Sequence, residues 1–361
     1  MHRSHSTPPI ILVTCGDPAG IGPEVVVAAW TTPALHGRAR LRVVGDAATM
    51  ADALAVARDQ AASSGTTAGG LEVVSAADPR RSGPETLLII PPPHGVTAPI
   101  AKAAITAAGG RAAVAAVETA FELVQTGQAQ ALVTGPLHKE ALRAAGRDEP
   151  GHTELLARAC GLPDEAASMM LWLPPPQAAG DRGGLGVVHA TLHESLRTAV
   201  QHLSPERIVL AGRRLARLLE AVLQRRPRLA VAALNPHGGE GGLFGDEERR
   251  IIAPAVARLE AEGHDVAGPL PADTLFLRAS QGDFDGVVAM YHDQGHIPVK
   301  LLGMHRAVNI TLGLPLVRTS VAHGTAFDIV GTGTADASSM RAAIDMAIRL
   351  VAAGWPADSR A

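Results

Sequence analysis

Gly16-Asp17-Pro18-Ala19-Gly20-Ile21-Gly22-Pro23-Glu24-Val25 follows the apolar run Ile10 to Thr14, and this order of strand, glycine turn and helix start decides how the chain is read. Gly20 and Gly22 match the opening of a dinucleotide-binding fingerprint, and Asp46 closes the next apolar run at a suitable distance. Two residues oppose that reading. Val25 occupies the third glycine position, and Pro23, with no N–H to donate, fits only the first turn of a helix. A tight strand-to-helix turn without a ligand explains the same residues, so the choice passes to the rest of the chain.

Outward from this turn, short apolar runs alternate with Ala/Leu-rich stretches, the pattern of βαβ units around a mostly parallel sheet. Strands are expected at Ile10 to Thr14, Leu41 to Val44, Ala131 to Thr134, Ser168 to Leu173, Val187 to Thr191, Leu229 to Leu234, Gly286 to Met290, Ala307 to Thr311 and Leu316 to Thr319. Helices are clearest at Arg111 to Gln125, Pro205 to Gln224, Glu247 to Glu262 and Ser338 to Ala352. Ser204 before Pro205 supplies a side-chain cap and a first-turn proline. The stretches Ala61 to Gly70 and Pro174 to Gly184, rich in Gly, Pro and Ser, read as surface loops.

Composition limits the function classes. The 361 residues suit two domains or one large α/β domain, and 47% hydrophobic against 19% charged residues is a globular balance. A net charge of −3 and 2% aromatics leave neither an electrostatic footprint for nucleic acid nor stacking platforms for its bases. Cys15 and Cys160 form no C-x-x-C pair, so the cytoplasm is the expected compartment. The apolar run at the start is too short for a signal peptide, and no run is long enough to span a membrane.

Fifteen histidines stand against one tyrosine. Three histidines lie just past expected strands: His193, His237 in Asn235-Pro236-His237-Gly238-Gly239-Glu240, and His292 in Tyr291-His292-Asp293-Gln294-Gly295. Parallel strands present their C-terminal ends on one side, where ligands bind in open α/β sheets, so these imidazoles can converge. Three neutral imidazoles with an open fourth position describe a catalytic divalent-metal site, suited to zinc and related ions. Gly151-His152-Thr153-Glu154 opens a helix with a hydroxyl and free amides, and Lys300, Asn309 and Arg318 lie near the last strands. Together they point to a small anionic substrate.

These motifs resemble the 4-hydroxythreonine-4-phosphate dehydrogenase family of pyridoxine biosynthesis. The resemblance rests on Gly16 to Glu24, Val133-Thr134-Gly135-Pro136-Leu137-His138-Lys139, Gly151 to Glu154 and Asn235 to Gly242. It continues through Gly268-Pro269-Leu270-Pro271-Ala272-Asp273-Thr274, Tyr291 to Gly295 and Val308 to Pro315, in order from about residue 10 to 350. Gly20 to Glu24 and His323-Gly324-Thr325-Ala326-Phe327-Asp328 also look like segments of the isocitrate and isopropylmalate dehydrogenases. The resemblance implies a two-domain α/β/α layered fold of that type with an active-site cleft between the domains. Residues 1–136 with 303–361 would form one domain and 137–302 the other.

It further implies His193, His237 and His292 as metal ligands for zinc, magnesium or cobalt, and His152, Thr153, Lys300, Asn309 and Arg318 as substrate contacts. Asp273 and Lys300 would be the catalytic groups, and His323, Gly324, Thr325, Ala326 and Asp328 would hold NAD, or NADP. A homodimer with the active site at the subunit interface is implied, with a small phosphorylated hydroxy acid as substrate and neither nucleic acid nor membrane as partner. The expected reaction oxidises a secondary alcohol with NAD, after which the 3-oxo acid loses carbon dioxide. A sister dehydrogenase for D-threonate or D-erythronate 4-phosphate, or for a cyclic diol carboxylate, is the alternative. A regulatory binding protein without catalysis is the third reading. The chain departs from the usual family pattern at Cys15, Gly238 and Ala322, and in the approach Gly146 to Pro150.

Overall fold

A computed structural model describes residues 7–61, 69–93, 100–175 and 184–356. From the N-terminus come β1 (Ile10–Thr14), α1 (Gly22–Trp30), α2 (Pro33–His36), β2 (Arg40–Val44), α3 (Ala47–Ala61), β3 (Gly70–Val73) and β4 (Thr86–Ile90). There follow α4 (Ala107–Gln125), β5 (Ala131–Thr134), α5 (Lys139–Ala144), α6 (His152–Ala159), β6 (Ser168–Leu173), β7 (Leu185–His189), α7 (Leu196–His202), α8 (Pro205–Leu223) and β8 (Arg228–Ala232). The chain continues with α9 (Ala253–Ala261), β9 (Asp265–Leu270), α10 (Ala272–Ser280), β10 (Gly286–Ala289), α11 (His292–Gly303), β11 (Val308–Leu312), β12 (Val317–Val321) and α12 (Ser338–Ala352).

Two compact units result, residues 1–167 with 314–361, and 168–313. The first carries a parallel sheet in the order β3-β4-β2-β1-β5-β12. Its central strand β1 is buried at every position, as a parallel strand covered on both faces must be. Helix α4 packs on β1, β2 and β5, and α12 on β1, β5 and β12. Thr106 caps α4 by accepting from the Gly109 amide at 3.0 Å.

The second unit orders its strands β11-β6-β7-β10-β8-β9. Here β6 runs antiparallel to both β11 and β7, while β7, β10, β8 and β9 are mutually parallel. The sheet is therefore parallel only in part. Helix α8 packs on β7 and β10, and α11 on β6, β7 and β10. At the N-terminal edge of β8, the Asp285 carboxylate accepts from the Arg225 guanidinium at 2.7 and 2.8 Å and from the Arg228 amide at 2.7 Å.

Several expectations need correction. Residues 137–167, expected in the second domain, sit in the first unit, because α5 packs closely on α4. Gly110 makes this possible, since a Cβ there would collide with the Ala141 carbonyl. The later boundary falls after residue 313 rather than 302, because β11 pairs with β6 of the second unit. The helix expected from Glu247 begins as a π-turn over Glu248–Ile252, and Pro254, lacking an N–H, sits in the first turn of α9. Strands β3, β4 and β9 were not expected; β3 is mostly exposed and β9 carries Gly268-Pro269. Residues 62–68 and 176–183, in the two expected surface loops, lie outside the described residues. Among the described residues no helix is long and apolar enough to cross a membrane.

Candidate active site

In the first unit, Arg318 lies on β12 and is 2% exposed. Its Nε and Nη2 donate to Thr134 Oγ1 on neighbouring β5 at 3.2 and 2.7 Å. Burial lowers the guanidinium pKa to about 10, opposed by the Glu154 carboxylate, so Arg318 remains cationic at neutral pH. His152 begins α6; burial, then the charge of Arg318, push it well below the ordinary histidine value. Its Nε2 is buried and has no hydrogen-bond partner among the described residues. A buried cation beside a neutral imidazole and a helix N-terminus favours an anion, and Thr153 adds a half-buried hydroxyl in the same turn.

The glycine turn after β1 packs against the loop after β12. Ile21 N–H donates to the Thr325 carbonyl at 2.9 Å, and a Cβ on Gly20 would lie 2.7 Å from that oxygen. A Cβ on Gly22 would collide with the Cys15 carbonyl. Among the described residues these glycines serve close backbone approach, which resolves the opening ambiguity towards a packing turn. Glu24 Oε1 accepts from the Gly331 amide at 2.7 Å, while its Oε2 is buried without a described partner. His323 Nε2 is likewise buried and unpartnered, and Phe327 stacks on His138 at 5.2 Å between ring centroids. Gly324 and Asp328 are exposed, Thr325 is buried, and Ala326 has φ +41°. Asp17 is fully buried; Oδ1 accepts from the Ala19 amide at 2.9 Å, and burial raises its pKa.

The second unit brings histidines together at the C-terminal ends of its strands. His193 and His292 have ring centroids 5.8 Å apart. Both border a cavity of about 350 Å³ that Thr191, Glu194, Tyr291 and Asp293 also line. His292 Nδ1 lies 2.6 Å from Asp293 Oδ1 and donates to it, so Nε2 is the ring nitrogen with a lone pair to offer. Behind His292, His296 stacks at 3.7 Å and His189 approaches His296 at 4.7 Å.

His237 is exposed at φ +53°, its ring 6.4 Å from Phe244 and outside this histidine group. Asp273, in the first turn of α10, is exposed and accepts from the Thr274 amide. Lys300 is exposed on α11, its charge felt at His296. Asn309 Oδ1 is buried with no described partner. A divalent ion needs several such donors. Two imidazoles lie side by side, but no three His, Cys, Asp or Glu among the described residues are grouped to hold a metal ion. His193 and His292 are the candidate donors that the described residues bring together.

The family model for pyridoxal phosphate biosynthetic protein PdxA matches residues 38–347. The chain belongs to the PdxA family. The 4-hydroxythreonine-4-phosphate dehydrogenase of Geobacter metallireducens is 45% identical over 96% of this chain and 96% of its own. The D-threonate 4-phosphate dehydrogenase of Salmonella typhimurium is 43% identical over 94% of this chain and 98% of its own. Among solved structures, the 4-hydroxythreonine-4-phosphate dehydrogenase of Klebsiella pneumoniae is 42% identical, with a TM-score of 0.79 over 94% of this chain and 99% of its own. This PdxA family member is therefore a dehydrogenase with the fold of that structure.

Sequence reasoning passed over Thr134, Glu24, His189, His296, Gln294 and Glu248. Thr134 and Glu24 lay inside quoted motifs. His296 is four residues beyond His292 on one helix face, a detectable spacing. Gln294 carries a less visible role: Oε1 accepts from the Met290 amide and Nε2 donates to the Ala233 carbonyl, both at 2.7 Å, tying the ends of β10 and β8. Glu248 accepts from the Leu234 and Asn235 amides at 2.8 Å, holding the base of the His237 loop.

Proposed function

We propose that the chain is an NAD-dependent, divalent-metal-dependent 4-hydroxythreonine-4-phosphate dehydrogenase of the cytoplasm. It would oxidise 4-phosphooxy-L-threonine to 2-amino-3-oxo-4-phosphooxybutanoate, which loses carbon dioxide to give 3-amino-2-oxopropyl phosphate. The observation that carries this reading is the 45% identity to an enzyme of that name over 96% of both chains. D-Threonate 4-phosphate is the second substrate reading, favoured by a 43% identical relative of that activity. Both substrates join a phosphate to a secondary alcohol beside a carbon bearing the acid chain.

When bound, the metal ion supplies Lewis-acid polarisation of the substrate hydroxyl and NAD accepts the hydride. Arg318, neutral His152 and Thr153 bind an anionic end of the substrate, and remote anchoring positions the reacting carbon. Asn309 Oδ1, buried and unpartnered, accepts from a substrate donor. Lys300 would bind a second anionic group and, with Asp273, would handle the proton. The loop holding His323 to Asp328 would take the adenosine end of NAD, with NADP as the variant, and His323 Nε2 and Glu24 Oε2, buried without a described partner, would bond polar groups of the cofactor.

His193 and His292 from one chain with His237 from a second copy would hold the metal, whether zinc, magnesium or cobalt. Leu277, Ile297, Leu301 and Met304, exposed on α10, α11 and the turn after it, offer an apolar face for that homodimer.

The test is NAD reduction with 4-phosphooxy-L-threonine and, in parallel, D-threonate 4-phosphate, before and after chelation. Turnover of the first that is lost on metal removal and restored by a divalent ion is expected. Full activity after complete metal removal removes the metal from the reading, and preference for D-threonate 4-phosphate exchanges the substrate.

A further inference from the structure

Four histidines of the second unit form a layered group, but only His193 and His292 border the cavity. His296 and His189 lie behind them, 7% and 8% exposed. His296 sits one helical turn beyond His292 on the same face of α11. Its ring is 9° from parallel to that of His292 at a centroid distance of 3.7 Å. His296 Nδ1 lies 3.1 Å from the His292 carbonyl oxygen and 3.2 Å from His189 Nε2. Gly295 permits this close seating of α11, since a Cβ there would collide with His189 Nε2 and meet Val187 at 2.8 Å.

We propose that His296, backed by His189, is a positioning residue that sets the ring plane of His292, so that His292 Nε2 points into the cavity at a fixed angle. The proposal rests on the reading of His292 as a metal ligand. Two constraints then act on one ring: Asp293 fixes its tautomer through Nδ1, and the flat His296 ring stacked on one face blocks rotation. Outer groups of this kind orient metal-binding imidazoles and govern how tightly the ion is held.

The full chain, stripped of metal, is titrated with cobalt(II) and followed by visible absorption, which reports binding without turnover. His296→Leu fills the same volume without a flat ring, and His296→Phe restores one. His296→Leu is expected to weaken cobalt binding ~10–100-fold, with His296→Phe returning to within ~3-fold of the unaltered protein. Unchanged affinity in His296→Leu overturns the proposal, as does equal weakening in His296→Phe. His292→Ala is titrated alongside. Unaltered cobalt binding there defeats the ligand reading itself, a failure distinct from loss of the stack.

Discussion

The two units solve opposite problems. The anion pocket proposed for the first is assembled within the chain: Arg318 is buried on β12, held by Thr134 on β5, and its charge acts on His152 of α6. The second unit pairs His193 with His292 but leaves His237 exposed and outside the group. A buried guanidinium is costly unless its surroundings are satisfied, so the fold has to build that pocket around it. Exposed imidazoles carry no such cost and can await a further component. Preassembly in one unit and incompleteness in the other is the contrast that experiments can test.

The largest expected effect concerns the incomplete half. His237→Ala and His292→Ala should each abolish turnover alone. In the proposed shared-site homodimer, the two variants co-refolded should recover roughly a quarter of normal activity, because half the dimers would be mixed and each mixed dimer would have one intact site. Absence of recovery would place His237 outside a shared site and dissolve the contrast. Arg318→Met attacks the preassembled half: kcat/KM should fall ~100-fold, mostly through KM, from losing charge-assisted bonds of about 1.5–3 kcal/mol. Arg318→Lys should restore only part, because an ammonium lacks the fork.

A smaller effect lies in the pH dependence of stability. His36 and His152, both in the first unit, have pKa values lowered chiefly by burial. Below pH about 6.5 the unfolded chain takes up protons that the folded chain refuses, so stability is retained above that pH and falls as pH drops through it towards the folded values. Each residue adds up to about 1.4 kcal/mol per pH unit. Urea midpoints at descending pH measure the slope, and His36→Phe should make it shallower; an unchanged slope would remove His36 from the account. Smallest is Glu24→Ala. Losing one acceptor for the Gly331 amide is worth about 1 kcal/mol, or ~5-fold in KM for NAD with kcat unchanged. An unchanged KM would detach Glu24 from the cofactor loop.

Much of the fold was legible. β1, β5, β6 and α12 fall at their expected limits, because continuous apolar runs and helical periodicity survive any tertiary context. The run Thr86 to Ile90 before Pro91 carries the same signal, while β3 and β9, exposed or interrupted, offer little. The antiparallel direction of β6 was hidden because a buried apolar run has the same composition in either orientation. At the site, Arg318 and His152 were recognisable from their motifs. Gln294 and Glu248 were not, because their work is to bond backbone groups of other elements.

By itself the sequence determined the family, the alternation of strands and helices, and which side chains carry chemistry, since these depend on residue identity and local order. Tertiary structure decided three things. It turned the glycines after β1 to close packing, because the Thr325 carbonyl leaves no room for a side chain at Gly20. It placed His296 and His189 behind His292, because α11 seats on β7. And it separated His237 from the other two histidines, because the loop that carries it is held from below by Glu248 and projects into solvent.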